Sequence, residues 1–316
     1  MKSIKKLLLP ALFVMCSFAS SCDDWNEPRT IGLELQDPEA QDPALYEAYM
    51  QSLRAYKQTS HPLVFASLEN APDVSFSEKD FMRALPDSLD MVVLKRAERL
   101  TAYDKEDMPL MKRKGTRVLY YIDLVPFEGD LSWGAVSGEL QDYIDKAAAD
   151  YAQYGFDGFA VAGNVNMGAD AASQEEMRAA AGRITDMLLE SVDEGDVLLF
   201  EGSPLYFDAQ DRNKYDYFVA PREGMKHILE ADNTVNYYHD RLGVPLSKIM
   251  LSGTPSGTIT GRENKLVAML PEMAALVIAS GELAGVGVYD AAEDYYDAKM
   301  NYSRTKQLIE ILNPSH

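Results

Sequence analysis

Residues 154–164 read YGFDGFAVAGN, and this stretch decides the fold. An amphipathic segment from Gly138 to Tyr154 precedes it, and Gly155 stands where a helix can end in a left-handed turn that favours glycine. The run from Gly158 to Ala162 is short, apolar and bounded by glycines, which is typical of a buried strand. The stretch therefore predicts a helix, a tight turn and a buried strand in immediate succession.

The same alternation recurs along the chain from residue 43 onward. Eight short runs, rich in apolar and β-branched residues, are predicted strands: Leu63–Ser67, Met91–Lys95, Arg117–Asp123, Gly158–Ala162, Val197–Glu201, Tyr217–Ala220, Ile249–Ser252 and Val286–Asp290. The clearest predicted helices between and around them are Ala44–Lys57, Gly138–Tyr154, Gln174–Val192, Thr234–Arg241, Glu263–Ser280 and Ala298–Leu312.

Alternating strands and helices imply parallel strands joined by right-handed crossovers. Eight such units fit a single (β/α)8 TIM barrel of the α/β class, which typically needs about 250 residues. A doubly wound open sheet is the alternative, but it usually carries a glycine fingerprint after its first strand. Residues 67–72 read SLENAP and contain no glycine. We therefore predict one barrel over residues 43–316.

In such a barrel the functional side chains lie where the strands end. The polar and aromatic residues at those ends are Glu69, Asn70, Lys95, Arg96, Asp123, Asn164, Asn166, Glu201, Arg222, Glu223, Thr254, Tyr289 and Asp290. A polar rim is also what solvation alone would produce. Neighbouring residues on a strand face opposite sides, so at most one of Tyr120 and Tyr121 points into the barrel mouth.

The composition excludes several classes of protein. The chain has 316 residues, with 50 acidic against 30 basic side chains and a net charge of −20. This charge argues against nucleic-acid binding, which needs a cationic face. Two cysteines cannot support a disulfide scaffold, and four scattered histidines argue against a histidine-based metal site. We predict no metal and no cofactor.

The N-terminus is predicted to be a sorting signal rather than part of the fold. Residues 1–21 hold three lysines followed by an apolar run that is too short to cross a bilayer. The small residues before Cys22 resemble a bacterial lipobox, which implies cleavage there and lipidation of Cys22. Residues 22–42 then form a tether, and the mature charge becomes −23. The acidic run Asp23–Glu27 resembles the surface-export signal of Bacteroidetes lipoproteins.

The predicted fourth strand resembles that of the family-18 glycoside hydrolases, which include chitinases and endo-β-N-acetylglucosaminidases. Their strand reads D-G-x-D-x-D-x-E. In that family the glutamate is the general acid, and the aspartate two residues before it orients the acetamide of the substrate, which acts as the nucleophile. Alternation along a strand places all these acids on the interior face of the barrel.

Only the first two positions of that pattern match here. Asp157 and Gly158 correspond, but Ala160 and Ala162 stand in place of the two inner aspartates and Asn164 in place of the general acid. The family's Met-x-Tyr-Asp pattern on the sixth strand and its tryptophan on the eighth are also missing. The resemblance therefore implies a barrel of this family without its catalytic carboxylates.

The hypothesis that follows is a cell-surface glycan-binding lipoprotein, a pseudoenzyme that captures GlcNAc-containing glycans such as host N-glycans for a glycan-utilisation system. Its predicted partners are the glycan, the outer membrane through the lipid, and an outer-membrane glycan transporter. Aromatic rings can pack on sugar faces and polar groups can bind hydroxyls. The predicted glycan-binding residues are Asn164, Asp123, Trp133, Glu201, Tyr206, Tyr289 and Asp290.

Two further interpretations stay open from the sequence. Glu201 and Asp290 can form a relocated carboxylate pair, which would make the protein an active glycoside hydrolase if their separation suits one of the two known geometries. The acidic residues Asp290, Glu293, Asp294 and Asp297 contain oxygen ligands of the type that Ca²⁺ prefers, but their spacing is not that of an EF-hand. A solvated loop is the favoured interpretation of that cluster.

Overall fold

The computed structural model describes residues 38–127, 138–165 and 170–314. The chain divides into two compact units, Met1–Glu47 and Ala48–His316. In the first unit, α1 spans Pro38–Gln41, and α2 (Pro43–Lys57) begins after Asp42, whose carboxylate accepts the Leu45 N–H at 3.0 Å. The predicted signal, Cys22 and most of the predicted tether lie outside the described residues.

The second unit is a closed barrel of eight parallel strands, which confirms the predicted (β/α)8 fold. In barrel order the strands are β1 (Leu63–Leu68), β2 (Met91–Leu94), β3 (Arg117–Asp123), β4 (Gly158–Ala162), β5 (Val197–Glu201), β6 (Tyr217–Val219), β7 (Ile249–Gly253) and β10 (Gly285–Val288), and β10 closes onto β1. Strands β8 (Thr258–Thr260) and β9 (Leu266–Ala268) form a separate antiparallel hairpin.

Among the described residues, the further α-helices that accompany the strands are α3 (Ala102–Lys114), α4 (Glu139–Tyr154), α5 (Ala171–Leu189), α6 (Ala209–Arg212), α7 (Ile228–Asn236), α8 (Met269–Ser280) and α9 (Ser303–Leu312). The helix predicted from Glu263 begins only at Met269. Residues 266–268 pair with β8 instead, across a turn in which Asn264 has a φ of +57°. Within the described ranges, none of the helices has the length and apolarity that crossing a membrane requires.

Side chains alternate between the inside of the barrel and the layer under the helices. Phe65, Leu119 and Leu199 fill the interior, whereas Tyr120 and Phe159 belong to the outer layer. This alternation fixes which residues reach the mouth, because only side chains on the inner set of positions can line it.

Three aspartates at the amino end of the barrel directly precede alternate strands. Asp90, Asp157 and Asp216 stand one residue before β2, β4 and β6. Their carboxylates accept the N–H of the second residue of a neighbouring strand, from Val64 at 2.8 Å, Val118 at 2.9 Å and Leu198 at 2.9 Å. Backbone donors at the strand starts are thereby satisfied, as buried polar groups require.

Gly158 completes this arrangement at the start of β4. Its φ is +132°, a region that favours glycine, and a Cβ there would lie 2.0 Å from the Val197 carbonyl oxygen. The Asp157-Gly158 pair therefore has a structural reason to be present that does not depend on catalysis.

Candidate active site at the barrel mouth

A cavity of about 360 Å³ opens at the carboxyl end of the barrel. It is lined by the side chains that follow or end the strands: Ser67, Glu69, Lys95, Tyr121, Glu201, Arg222, Glu223, Tyr289, Asp290, Ala291, Ala292 and Glu293. Tyr121 and Glu201 are inner positions of β3 and β5, so the alternation along each strand carries them into the mouth. Of the predicted glycan-binding residues, the structure brings Glu201, Tyr289 and Asp290 together at this cavity.

Lys95 and Glu201 form the centre of this cavity. The Lys95 Nζ lies 3.5 Å from Glu201 Oε2, at the long limit for a hydrogen bond, and 3.2 Å from the centroid of the Tyr121 ring. Glu201 Oε1 is buried and meets no partner at good hydrogen-bond geometry among the described residues, although the Tyr289 hydroxyl acts on this carboxylate as a donor. The cation is therefore held by a ring as closely as by its carboxylate.

Burial dominates the electrostatics of this pair. It raises the pKa of Glu201 above the usual glutamate value, although Lys95 and the Tyr289 hydroxyl act to lower it. Burial likewise lowers the pKa of Lys95, against the opposing effect of Glu201. A buried carboxyl that holds its proton more tightly than usual is suited to proton donation, the property that a general acid needs.

Tyr289 packs between an arginine and the barrel core. The Arg222 guanidinium carbon lies 3.9 Å from its ring centroid, and Phe65 meets it edge-on at 5.7 Å. Burial and the Glu201 charge raise the pKa of the Tyr289 phenol well above its usual value. Because the side chain is only 6% exposed and carries Arg222 over its ring, a sugar cannot pack broadly on it.

Strand β4 places small residues where the family resemblance expects acids. Ala160 is fully buried in the barrel interior, and Ala162 lies in register between Asp123 of β3 and Glu201 of β5. Asn164 follows the strand as an exposed residue. Asp123 and Glu201 therefore flank the position where the acetamide-orienting aspartate of the family would stand, and of these two only Glu201 lines the cavity.

Asp290 and Asp123, two of the predicted glycan-binding residues, lie differently with respect to the cavity. Asp290 is exposed on the cavity wall, with a left-handed φ of +52°. The Asp123 carboxylate accepts the Val125 N–H at 3.0 Å, so it fixes the turn after β3, and it does not line the cavity. It remains close enough to Lys95 to favour the charged form of that amine.

Tyr206 requires a correction. Its side chain is fully buried outside the barrel, in an aromatic cluster with Phe200 at 5.2 Å and Phe207 at 5.3 Å. The ring is therefore unavailable to a glycan. Trp133, another predicted contact, lies outside the described residues.

The acidic residues after β10 mostly organise backbone. Asp294 is buried and accepts the N–H and the hydroxyl of Thr305, both at 2.8 Å, at the start of α9. Glu293 accepts the Ser256 hydroxyl at 2.8 Å, and Asp297 accepts the Lys299 N–H at 2.9 Å. Across the described residues, no group of three or more His, Cys, Asp or Glu side chains is placed to hold a metal ion.

Lys95 and Arg222 are predicted rim residues that are absent from the predicted glycan-binding set. Their positions, directly after β2 and shortly after β6, were the sequence signal that could have identified them as residues of the mouth. What the sequence could not supply was their partners, since Glu201, Tyr121 and Tyr289 belong to other strands.

Comparisons with known proteins agree with this architecture. Residues 32–311 match the family model described as "Glycoside hydrolase family 18, BT1044-like". No curated protein matches the chain.

Solved structures with the same fold share little sequence with this chain. A selenomethionine form of BT1044 with a glutamate-to-glutamine substitution is 17% identical, with a TM-score of 0.66 over 88% of this chain and 96% of that one. The endo-β-N-acetylglucosaminidase of Cordyceps militaris is 16% identical, with a TM-score of 0.64 over 84% and 96%. A chitinase of Bacteroides thetaiotaomicron is 13% identical, with a TM-score of 0.60 over 81% and 99%. These likenesses show the fold, and the family match over most of the sequence shows that the chain belongs to glycoside hydrolase family 18, in its BT1044-like group.

Proposed function

We propose that the protein binds a GlcNAc-containing glycan at the barrel mouth without hydrolysing it. The observation that carries this proposal is β4, where Ala160, Ala162 and Asn164 occupy the three positions of the family's acids. A methyl group cannot orient an acetamide, and an amide has no acidic proton to give to a leaving group. General acid catalysis alone typically contributes about 10²–10⁴-fold, so the loss of these groups removes most of the expected rate.

The cavity retains what sugar binding requires. Lys95 and Arg222 supply donors and the carboxylates around them supply acceptors, which suits the hydroxyl and amide groups of a saccharide. One solved relative, a double mutant of the Cordyceps militaris enzyme, is in complex with fucosyl-N-acetylglucosamine-Asn. That ligand supports the choice of a GlcNAc-containing glycan for this family member.

The proposal includes export and anchoring. Cleavage before Cys22 and lipidation of that residue would tether the barrel to the outer membrane, with the acidic residues 23–27 favouring the cell surface. There it would pass its glycan to an outer-membrane transporter. Incorporation of labelled palmitate, lost in Cys22→Ser, tests the anchor, and digestion of intact cells with a protease tests surface exposure.

An active hydrolase that uses Glu201 with Asp290 is the second candidate. Two observations favour it: both residues line the same cavity, and burial raises the pKa of Glu201. In this case Glu201 would protonate the glycosidic oxygen, while Asp290 would act as base or nucleophile.

Calorimetry together with chromatography of the sugar products separates the two candidates. The wild-type protein is incubated with GlcNAc oligosaccharides and N-glycan fragments. We expect heat of binding and unchanged oligosaccharides. Slow product release that is abolished by Glu201→Gln, but retained in the exposed control Glu282→Gln, would establish the hydrolase. A folded protein that binds none of these glycans would contradict both candidates.

Restoring the family's acids tests where the chemistry was lost. The double substitution Ala162→Asp and Asn164→Glu leaves the buried Ala160 untouched, and the isosteric control is Ala162→Asn with Asn164→Gln. We expect hydrolysis of a GlcNAc oligosaccharide by the acidic variant alone. If the acidic variant folds, binds and stays inert, then β4 is not where activity was lost.

A further inference from the structure

A patch of unusually exposed apolar side chains lies on two loops at the carboxyl end of the barrel. Phe76 is 94% exposed and Val74 63%, both in the loop between β1 and β2. Tyr296 is 71% exposed and Met300 49%, both between β10 and α9. Single exposed apolar residues are ordinary, but several from two connected loops indicate a surface that meets a ligand.

These two loops are fastened to each other. The Ser77 hydroxyl, next to Phe76, lies 2.5 Å from the Tyr296 hydroxyl. Tyr295 donates a hydrogen bond to Glu78 at 3.1 Å, and its ring meets that of Tyr296 edge-on at 4.9 Å. The Tyr296 ring is therefore held in one orientation while most of its surface faces solvent. A ring that is already ordered loses little conformational entropy when a ligand packs on it.

The same loops form part of the mouth cavity. The first contributes Glu69 at its start, and the second contributes the run from Asp290 to Glu293. The exposed rings are therefore continuous with the candidate site along the chain.

The charges around the patch favour a sugar as its occupant. Beside the patch, the acidic residues Asp73, Glu78, Asp80 and Asp297 outnumber the two lysines, Lys79 and Lys299. An anionic lipid surface would be repelled by these carboxylates. A pyranose ring presents C–H groups to an aromatic face and hydroxyls to neighbouring acceptors, which matches this mixture of rings and acids.

We propose that Phe76 and Tyr296 form a second carbohydrate subsite, which takes the sugar units that extend from the mouth. This inference rests on the proposed function, because it requires that the mouth holds one end of a glycan. The Phe76–Tyr296 subsite then gives the protein a preference for longer oligosaccharides over the disaccharide.

The test is a chain-length series in calorimetry. GlcNAc oligosaccharides from the disaccharide to the hexasaccharide are titrated into the wild type, Phe76→Ala, Tyr296→Ala and Tyr296→Phe. The matched control is Ile278→Ala, which truncates a 52% exposed apolar residue on α8. We expect each alanine variant to weaken hexasaccharide binding about tenfold and to leave disaccharide binding unchanged. Tyr296→Phe keeps the ring but loses its bond to Ser77, so it should weaken hexasaccharide binding less than Tyr296→Ala, while Ile278→Ala resembles the wild type.

The outcomes separate this inference from the proposed function. If the wild type binds the oligosaccharides and the alanine variants bind the hexasaccharide equally well, the second subsite does not exist but the proposed function stands. If the wild type binds no member of the series, the proposed function itself fails and the subsite with it. Binding of phosphatidylglycerol vesicles that is lost in Phe76→Ala, without any effect on sugar affinity, would assign the patch to a membrane instead.

Discussion

The two ends of the barrel use acidic residues in opposite ways. At the amino end, Asp90, Asp157 and Asp216 each accept a backbone N–H from the neighbouring strand at 2.8–2.9 Å. At the carboxyl end, Glu201 has one oxygen 3.5 Å from Lys95, and its buried Oε1 meets no partner at good hydrogen-bond geometry among the described residues, although the Tyr289 hydroxyl acts on the carboxylate. Glu201 at the mouth thus differs from the three aspartates at the amino end, and also from Asp123 and Asp294 at its own end, which accept backbone N–H groups.

This difference separates residues that stabilise the barrel from those that can act on a ligand. A carboxylate that satisfies a buried donor contributes to folding, and its removal leaves that donor unpaired. A buried charge without full compensation costs folding free energy, so its presence needs another explanation, which a binding site supplies. Asp157, which matches the family pattern, is a residue that stabilises the barrel, although the sequence match alone suggests a residue that acts on a ligand.

Replacing Asp90 should cause the largest loss of stability. Its carboxylate is buried, accepts the Val64 N–H at 2.8 Å and faces the His61 Nε2 at 3.0 Å. We expect Asp90→Ala to lower the free energy of unfolding by about 3 kcal/mol, measured by urea denaturation. The control is Asp232→Ala, which removes a surface ion pair with Arg262 and should cost less than about 1 kcal/mol. Equal effects would contradict the special role of the amino end.

Asp157→Ala should cost about 2 kcal/mol, because the Val118 N–H would lose its acceptor in a partly buried setting. Burial raises the pKa of Asp157, while the Val118 N–H acts to lower it. We expect the affinity for GlcNAc oligosaccharides to stay at the wild-type value in calorimetry. A variant of normal stability that binds no glycan would instead place Asp157 in the site.

These two ends also show how far sequence could predict this molecule. The eight barrel strands were predictable because each is a short apolar run bounded by polar turns, and a glycine that ends the preceding helix marks the approach to β3, β4 and β10. The β8–β9 hairpin was missed because Leu266–Ala268 is apolar and runs directly into α8, so the pairing with β8 left no separate signal.

The site was predictable as a set of strand ends but not as a set of contacts. Glu201, Tyr289 and Asp290 meet at one cavity because parallel strands end on the same side. Tyr206 also follows a strand end, yet its ring turns outward among Phe200 and Phe207. The arrangement of Lys95 over Tyr121 depends on how the consecutive strands β2 and β3 align side by side in the barrel, which no local pattern encodes.

The His61–Asp90 pair predicts a pH dependence at the amino end. The hydrogen bond to Asp90 is the main cause that raises the pKa of His61. The stability that this pair contributes is fully present below the ordinary histidine pKa of about 6.5. It is lost as the pH rises through the raised pKa of His61 in the folded protein. We expect the thermal midpoint of the wild type to decrease as the pH is raised from about 6 to about 8.

His61→Gln is the matched variant for this pH series, and its thermal midpoint should vary less over the same interval. Burial lowers the pKa of Lys57 to about 8, so stability from its neutral form grows as the pH rises above that value. The pH series therefore ends at about pH 8, where the titration of Lys57 begins to raise stability and to oppose the loss from His61. A wild-type midpoint that rises from pH 6 to pH 8 would contradict the assigned sign.

Glu201→Gln should have the smallest effect on stability of these changes, and this contrast is the sharpest test of the comparison. Because burial raises the pKa of Glu201, its carboxylate form lowers stability as the pH rises through that value, and glutamine removes this penalty. Lys95 loses a weak partner at 3.5 Å but keeps the Tyr121 ring at 3.2 Å. We expect a net change within about 1 kcal/mol at neutral pH in urea denaturation, together with weaker glycan binding. A loss as large as that of Asp90→Ala would mean that the mouth carboxylate stabilises the fold like its counterparts at the amino end.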